Sequence, residues 1–334
     1  MRTVTEPVDT IALTHNISCY EICTNDFAYN LICVAQWKHL SLITISLPEE
    51  SGELMWSHLE DLQICEMETP GTDTRCHKIA FSPDTSLNAK PSKVTVCAAI
   101  GKCEIRLFQT DLNEKSDVIS LNGHSDYVND IAWVCDGELL ASVSDDYTCR
   151  FWDITTDMQM GTTNIKNIIT FCLSSAGMSI KSHPDEPNKV LVAEKRGIIH
   201  LYNVRSKQTV VSVESPKFPL MSADWAQSNR LFVTALAGGD IVTWDLSRPL
   251  KPADVKQVHE DGGRIVRFAP GSGEVAMASI GRPDLTLKVF VGKSTVPIIE
   301  APLKTYGGLA WHQRLPYITA ASDNKLSFWK VHVK

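Results

Sequence analysis

Four residues in one short segment have the types that acid–base chemistry uses: His124, Asp146, and Ser142 or Ser144, with Trp152 close behind. A histidine between a hydroxyl and a carboxylate is the plan of a nucleophilic triad. The imidazole takes the hydroxyl proton and the carboxylate fixes its tautomer. The same residues admit a structural reading, in which a buried relay runs from the histidine to the indole N–H. Buried polar groups require such partners, and the spacing favours this reading over catalysis. Other candidates are thin. All ten cysteines fall between Cys19 and Cys172, many in apolar runs such as LICVA and VTVCAA. They read as small buried hydrophobes in a reducing compartment. Cys19 with Cys23, and Cys97 with Cys103, are lone pairs that fall short of a zinc set. His183 and His312 occupy turns with no second ligand near in sequence. A phosphate loop, a His-Glu-x-x-His helix, a nucleophile elbow and kinase elements are all missing. The paired glycines of GGRIVRF and YGGLAW lead into strands. No catalytic residue, cofactor or metal site is expected.

The elements that hold these residues are strands. Gly123-His124 is followed by VNDIAW and then by LLASVSDDYTCRFWDI, ending at Trp152-Asp153. Strand, turn, strand, tight turn, strand between a Gly-His and a Trp-Asp is the signature of a WD40 blade. In that frame the histidine precedes the first strand, the aspartate sits in the turn before the third, and the tryptophan lies within the third. Weaker copies recur. The tryptophan place is taken by Phe108, Trp152, Tyr202, Trp244, Phe290 and Trp329, at steps of 44, 50, 42, 46 and 39 residues. Each step suits one four-stranded blade. A first blade at 17–47 has the same plan, with Ile43 or Ile45 in the aromatic's place.

The expected fold is therefore all-β: one seven-bladed WD40-type β-propeller over 1–334. Its blade cores lie near 17–47, 77–111, 127–154, 178–204, 220–246, 264–291 and 308–331. Fourth strands are expected at 117–121, 168–173, 209–214, 254–258 and 296–301, and somewhere within 56–67 for the first blade. The last blade leaves no chain for a fourth strand, and 8–14 has strand character. That segment is expected to close the last blade, since an open propeller leaves unpaired edges. Part of the stretch 48–76 must be an outer strand, and the rest reads as a solvated acidic loop. Outside the 123–153 blade the full His-Ser-Asp-Trp set is missing, so the other blades are expected to lean on apolar packing. Trp133, Trp225, Trp311, Phe81 and Phe268 end first strands and read as core positions.

Composition narrows the function. A formal charge of −7 argues against a partner held mainly through phosphates. The opening MRTVTEPVDT lacks the apolar stretch of a signal peptide. No apolar run reaches spanning length, so membrane insertion is not expected. No homo-oligomer is expected either.

Several stretches carry a resemblance. They are IAFSPDTSLN with CEIRLFQTDL, NGHSDYVNDIAW with LASVSDDYTCRFWDI, VLVAEKRGIIHLYNV, ESPKFPLMSADW, WDLSRP, and GLAWHQRLP with DNKLSFWKV. Over blades two to seven the chain resembles the thirty-seven-kilodalton nucleoporin family, WD-repeat subunits of the Y-shaped outer-ring complex of the nuclear pore. The first 75 residues match poorly. The resemblance implies a non-enzymatic scaffold that binds the large 160-kilodalton nucleoporin, alongside other outer-ring nucleoporins. It implies residence in the nucleus, at the nuclear envelope, with kinetochore association in mitosis. Transport of mRNA and protein would follow from pore membership. It names no binding residues. The alternative is another WD40 interaction module such as a ubiquitin-ligase substrate receptor, for which Trp244-Asp245-Leu246-Ser247-Arg248 is a near miss with its arginine one place late. A basic pair for lipid is also lacking, since IGRPDLTLK offers only Arg282 before its lysine.

Overall fold

The second strand of each blade explains the architecture. LICVA (Leu31–Ala35) and VTVCAAI (Val94–Ile100) are buried at every residue. A strand covered on both faces reads as a continuous apolar run instead of an alternating one. The fourth strands are the opposite: SDVISL (Ser116–Leu121) is mostly exposed. Each sheet thus runs from a buried side to a solvent side. The computed structural model describes residues 3–64, 74–113, 116–157, 162–226, 231–271, 276–292 and 294–331. Its described strands form seven four-stranded sheets. The fold is a seven-bladed WD40-type β-propeller whose last blade is completed by the N-terminal strand.

The chain divides into two compact units, 5–122 with 301–334, and 1–4 with 123–300. The first unit holds blade one (Cys19–Ile22, Leu31–Ala35, His39–Ser46, Met55–Gln63) and blade two (Cys76–Phe81, Val94–Ile100, Glu104–Thr110, Ser116–Leu121). It also holds blade seven, whose strands are Leu309–Trp311, Tyr317–Ser322, Lys325–Lys330 and Asp9–Ala12. Asp9 faces Phe328 and Ala12 faces Lys325 in an antiparallel ladder. Val8 N–H and Leu13 N–H extend it to Phe328 and Asn324 carbonyls, each at 2.8 Å. The strand is shorter than the expected 8–14 and pairs where expected.

Blade one answers the choice between two isoleucines. The ladder between its third and fourth strands slips between Leu42 and Ile43. The equivalent slips fall at Phe151/Trp152 and Leu201/Tyr202, so Ile43 holds the aromatic's place. The 48–76 stretch holds the expected fourth strand and adds one helical element. Pro48–Ser51 forms one helical turn with Pro48 at its start, and Met55–Gln63 is a nine-residue strand. Residues 65–73 lie outside those described. Blades seven and one are clamped by side chains. Arg314 bonds Asp26 at 3.1 Å and covers the Tyr29 ring at 4.0 Å, while Glu49 takes Lys330 and the Tyr317 hydroxyl.

The second unit holds blade three (Val128–Val134, Leu139–Ser144, Thr148–Asp157, Thr162–Cys172) and blade four (Gly177–Ser182, Lys189–Glu194, Ile198–Asn203, Gln208–Glu214). Blade five is Leu220–Trp225, Phe232–Ala237, Asp240–Asp245 and Asp254–Gln257. Blade six is Gly263–Phe268, Ala276–Gly281, Thr286–Val291 and Ile299–Pro302, of which Ala301 and Pro302 are counted with the first unit. Two fourth strands differ from expectation. In blade three the third strand runs on past the Trp-Asp pair, and Asp157 faces Thr162. The fourth strand therefore starts at Thr162, not 168. In blade six it begins at Ile299 instead of 296, because Ser294 first turns the chain through hydrogen bonds to the Val296 N–H and carbonyl.

Buried carboxylates staple neighbouring first strands in this unit. Asp130 of blade three accepts the Ile180 N–H of blade four at 3.0 Å, and Asp224 of blade five accepts the Phe268 N–H of blade six at 3.0 Å. Each carboxylate thereby satisfies a backbone donor that would otherwise be orphaned between sheets.

Candidate functional site

The 123–153 blade brings its polar set together. The Trp152 indole N–H donates to Ser142 Oγ at 2.9 Å. With that oxygen already accepting, its own proton goes to His124 Nε2 at 2.7 Å. The imidazole proton therefore sits on Nδ1 and donates to Asp146 Oδ2, also at 2.7 Å. Asp146 is fixed in turn by Thr148, whose hydroxyl and N–H reach Oδ1 at 2.6 and 2.9 Å, and by the Ser125 N–H at 3.1 Å. Thr148 is a member that the sequence reading missed. Its signal was adjacency, since a threonine two places after a turn aspartate can close an Asx-type turn. Ser144 stands apart from the relay. It accepts the Asp146 N–H and donates to the Asp126 carbonyl, shaping the turn. Gly123 is required by proximity, because a Cβ there would lie 2.9 Å from the Trp152 ring.

The order carboxylate, imidazole, hydroxyl is that of a triad, and burial decides what it does. Ser142 is 0% exposed, and so is the His124 side chain. A nucleophile must reach a substrate carbonyl, and this oxygen is already hydrogen-bonded on both sides. The arrangement fixes the blade. Burial holds the His124 imidazole below its ordinary value against the pull of Asp146. Burial would raise the Asp146 carboxyl, but Thr148, His124 and the Ser125 N–H outweigh it and leave it lowered.

Other blades lack the full set, as expected, and carry partial polar devices of their own beside their apolar packing. In blade six His259 Nε2 meets Ser279 Oγ at 3.0 Å, with Asp284 4.0 Å from Nδ1. Phe290 stands in the tryptophan place and has no N–H to add. The spacing from histidine to serine differs from blade three, which hid the parallel in the sequence. In blade four the fully buried Glu194 accepts from Ser174 Oγ at 2.6 Å, from the Ser175 N–H at 2.8 Å, and pairs with His200 at 2.9 Å. Burial opposes its charge, yet His200 and Ser174 hold the carboxyl down to about 2. His183 and His312 serve their turns alike: each Nδ1 accepts two backbone N–H groups, from Asp185 and Glu186, and from Arg314 and Leu315. Gly239 is also a turn requirement, with φ +85 and the His259 carbonyl 2.5 Å from any Cβ.

His259 makes a pH prediction. Burial lowers it to about 4 from an ordinary 6.5. The unfolded chain therefore binds its proton first as pH falls. Stability from the neutral ring is whole above pH 6.5 and is lost as pH falls from there towards 4, by about 2 kcal/mol at pH 5. Urea midpoints at pH 7.5 and pH 5 should show this loss. His259→Gln should narrow the gap, and an equal gap in the variant would refute the assignment.

The remaining aromatic positions, Phe108, Tyr202, Trp244, Phe290 and Trp329, are each at most 5% exposed. Each is core, where burial of such a ring stabilises by about 1.5–3 kcal/mol. Trp244-Asp245 closes a turn, with Asp245 accepting the Ser247 N–H and hydroxyl. Seven of the nine described cysteines are buried and all are free thiols. Among the described residues the thiols of Cys19 and Cys76 lie 3.5 Å apart, across blades one and two. Among the described residues no group of three or more His, Cys, Asp or Glu could hold a metal ion, and no helix is long and apolar enough to cross a membrane.

Seven four-stranded blades, one of them pinned by a His-Ser-Asp-Trp relay, define a propeller of the WD40 class. The family model described as "WD domain, G-beta repeat" matches residues 115–153. A solved structure titled "Crystal Structure of Mitotic Checkpoint Complex" superposes with a TM-score of 0.71 over 99% of this chain and 94% of that one; at 13% identity it shows the fold alone. Nucleoporin Nup37 of Drosophila melanogaster is 64% identical over 334 residues, all of both chains. Nucleoporin Nup37 of Homo sapiens is 34% identical over 91% of this chain and 90% of its own length. The chain belongs to the Nup37 family of nucleoporins. It is a non-catalytic scaffold subunit of the nuclear pore outer ring, located at the nuclear envelope.

Proposed function

We propose that the protein is held in the Y-shaped outer-ring complex by direct binding to the large 160-kilodalton nucleoporin, with other outer-ring nucleoporins as further neighbours. The observation that carries this reading is relatedness to a nucleoporin over the whole chain. Blade one adds solvent-facing anchors of the kind that interfaces use: Trp37 is 67% exposed and Trp56 45%. In dividing animal cells the same assembly would take the protein to kinetochores. Effects on mRNA and protein transport would follow from its place in the pore.

Tagged protein purified from nuclear extract should bring down the 160-kilodalton nucleoporin at near-equal stoichiometry, and should give a rim signal at the envelope. Recovery of other outer-ring subunits without that partner would reject the direct contact. A diffuse signal with no nucleoporin would reject the assembly reading altogether.

A further inference from the structure

Turns and loops of blades three, four and five wall a groove of about 1440 Å³. That exceeds the roughly 300–1,000 Å³ of small-molecule pockets and suits a length of polypeptide. We propose that this groove docks an extended acidic segment of a partner protein, anchored by an aromatic or aliphatic side chain. The inference is independent of which nucleoporin holds the propeller.

Three large apolar side chains face solvent there: Tyr147 at 55%, Phe218 at 73% and Leu250 at 100% exposure. They give an apolar side chain of a partner something to pack against. Lys195, Arg196 and Lys251 line the same groove, and among the described residues their side chains have no hydrogen-bond or ion-pair partner. Two carboxylates share the wall. Asp145 already takes the Asn129 amide at 2.7 Å, and Glu214 is exposed. The groove is thus net positive on a chain whose formal charge is −7, which attracts an acidic segment and orients its approach.

Tyr147 adds an independent observation. Its φ is +61, in the left-handed region. The matching turn of the next blade uses Gly197, at φ +101. A bulky residue there costs about 1–2 kcal/mol relative to the right-handed region, and such strain concentrates at functional sites. The loop opposite is held in place before any ligand arrives: Lys217 pairs with Asp240 at 3.5 Å, and its N–H bonds Ser215 Oγ at 3.2 Å. Phe218 follows directly, so its exposed ring sits on an ordered loop.

The test uses full-length protein and fluorescence anisotropy. The probes are fluorescein-labelled peptides that alternate Glu and Ser around a single Phe, Tyr, Trp or Leu. Controls carry Lys for Glu, or are single-stranded oligo(dT). At least one acidic peptide should bind, more weakly as salt rises. Lys195→Glu with Arg196→Glu should weaken it at least ten-fold, and Phe218→Ala by a similar factor. Tyr147→Gly separates binding from folding. It should weaken the peptide several-fold while leaving the thermal midpoint unchanged or higher. The proposal fails if no acidic peptide binds, if these variants bind equally well, or if the Lys peptide or oligo(dT) binds more tightly than every acidic peptide.

Discussion

A chain that begins at His15 should unfold at a midpoint lower by about 10 °C or more. Removal of residues 1–14 takes away Asp9–Ala12, the fourth strand of blade seven. Lys325–Lys330 would then become an edge with a row of unpaired backbone groups. Ile11, 2% exposed, packs with Ile17, Leu326 and Phe328. Losing a buried isoleucine costs about 2–5 kcal/mol, and the ladder bonds add to that. A gentler variant isolates the packing: Ile11→Ala leaves the backbone pairing and should lower the midpoint by a few degrees. A synthetic peptide of residues 1–14 should restore much of the loss in trans, since main-chain pairing and the Ile11 pocket both survive in the truncated chain. An unchanged cooperative midpoint for the truncated protein would mean that the strand decorates blade seven without closing it.

That strand was legible because of a deficit. The last Trp place lies five residues before the C-terminus, and VDTIALT was spare. The tryptophan spacing likewise exposed six blades, since turn chemistry and apolar runs repeat at blade length. In blade one, placed at 17–47 by its plan, the aromatic's place needed the structure, because Ile43 carries no signal that distinguishes it from Ile45 until the ladder slip at Leu42/Ile43 is seen. The long hairpin of blade three was hidden for another reason. TTDMQMGTTNI looks like a loop by composition, and its strand pairing from Asp157 to Thr162 depends on a neighbour and not on propensity. The polar devices of blades four and six were missed because each replaces one part of the relay. Glu194 does with a carboxylate what His124 does with a ring, and His259 works beside Phe290 with no indole to complete the chain.

The relay of blade three supports the second large effect. His124→Ala should cost about 2–4 kcal/mol. It leaves Asp146 without its buried ring partner and Ser142 without an acceptor for its proton, and each orphaned buried group is costly. Trp152→Phe keeps the ring and removes one donor, so its cost should be smaller, about 1 kcal/mol plus any repacking. Pairing His124→Ala with Asp146→Ala should cost less than the sum of the two single changes, because the first already breaks the bond that the second removes. A triad makes the opposite set of predictions. There, Ser142→Ala would abolish a hydrolytic activity and leave the unfolding midpoint almost untouched. Here Ser142→Ala should lower stability by about 1–3 kcal/mol, and the intact protein should hydrolyse p-nitrophenyl acetate no faster than the Ser142→Ala variant does. Urea unfolding and an ester assay on the same preparations decide between them. Additive costs for His124 and Asp146 would break the relay, and serine-dependent turnover would return the site to catalysis. The physical reason to expect neither is that Ser142 is fully buried between His124 Nε2 and the Trp152 indole N–H, where no substrate carbonyl can reach its oxygen.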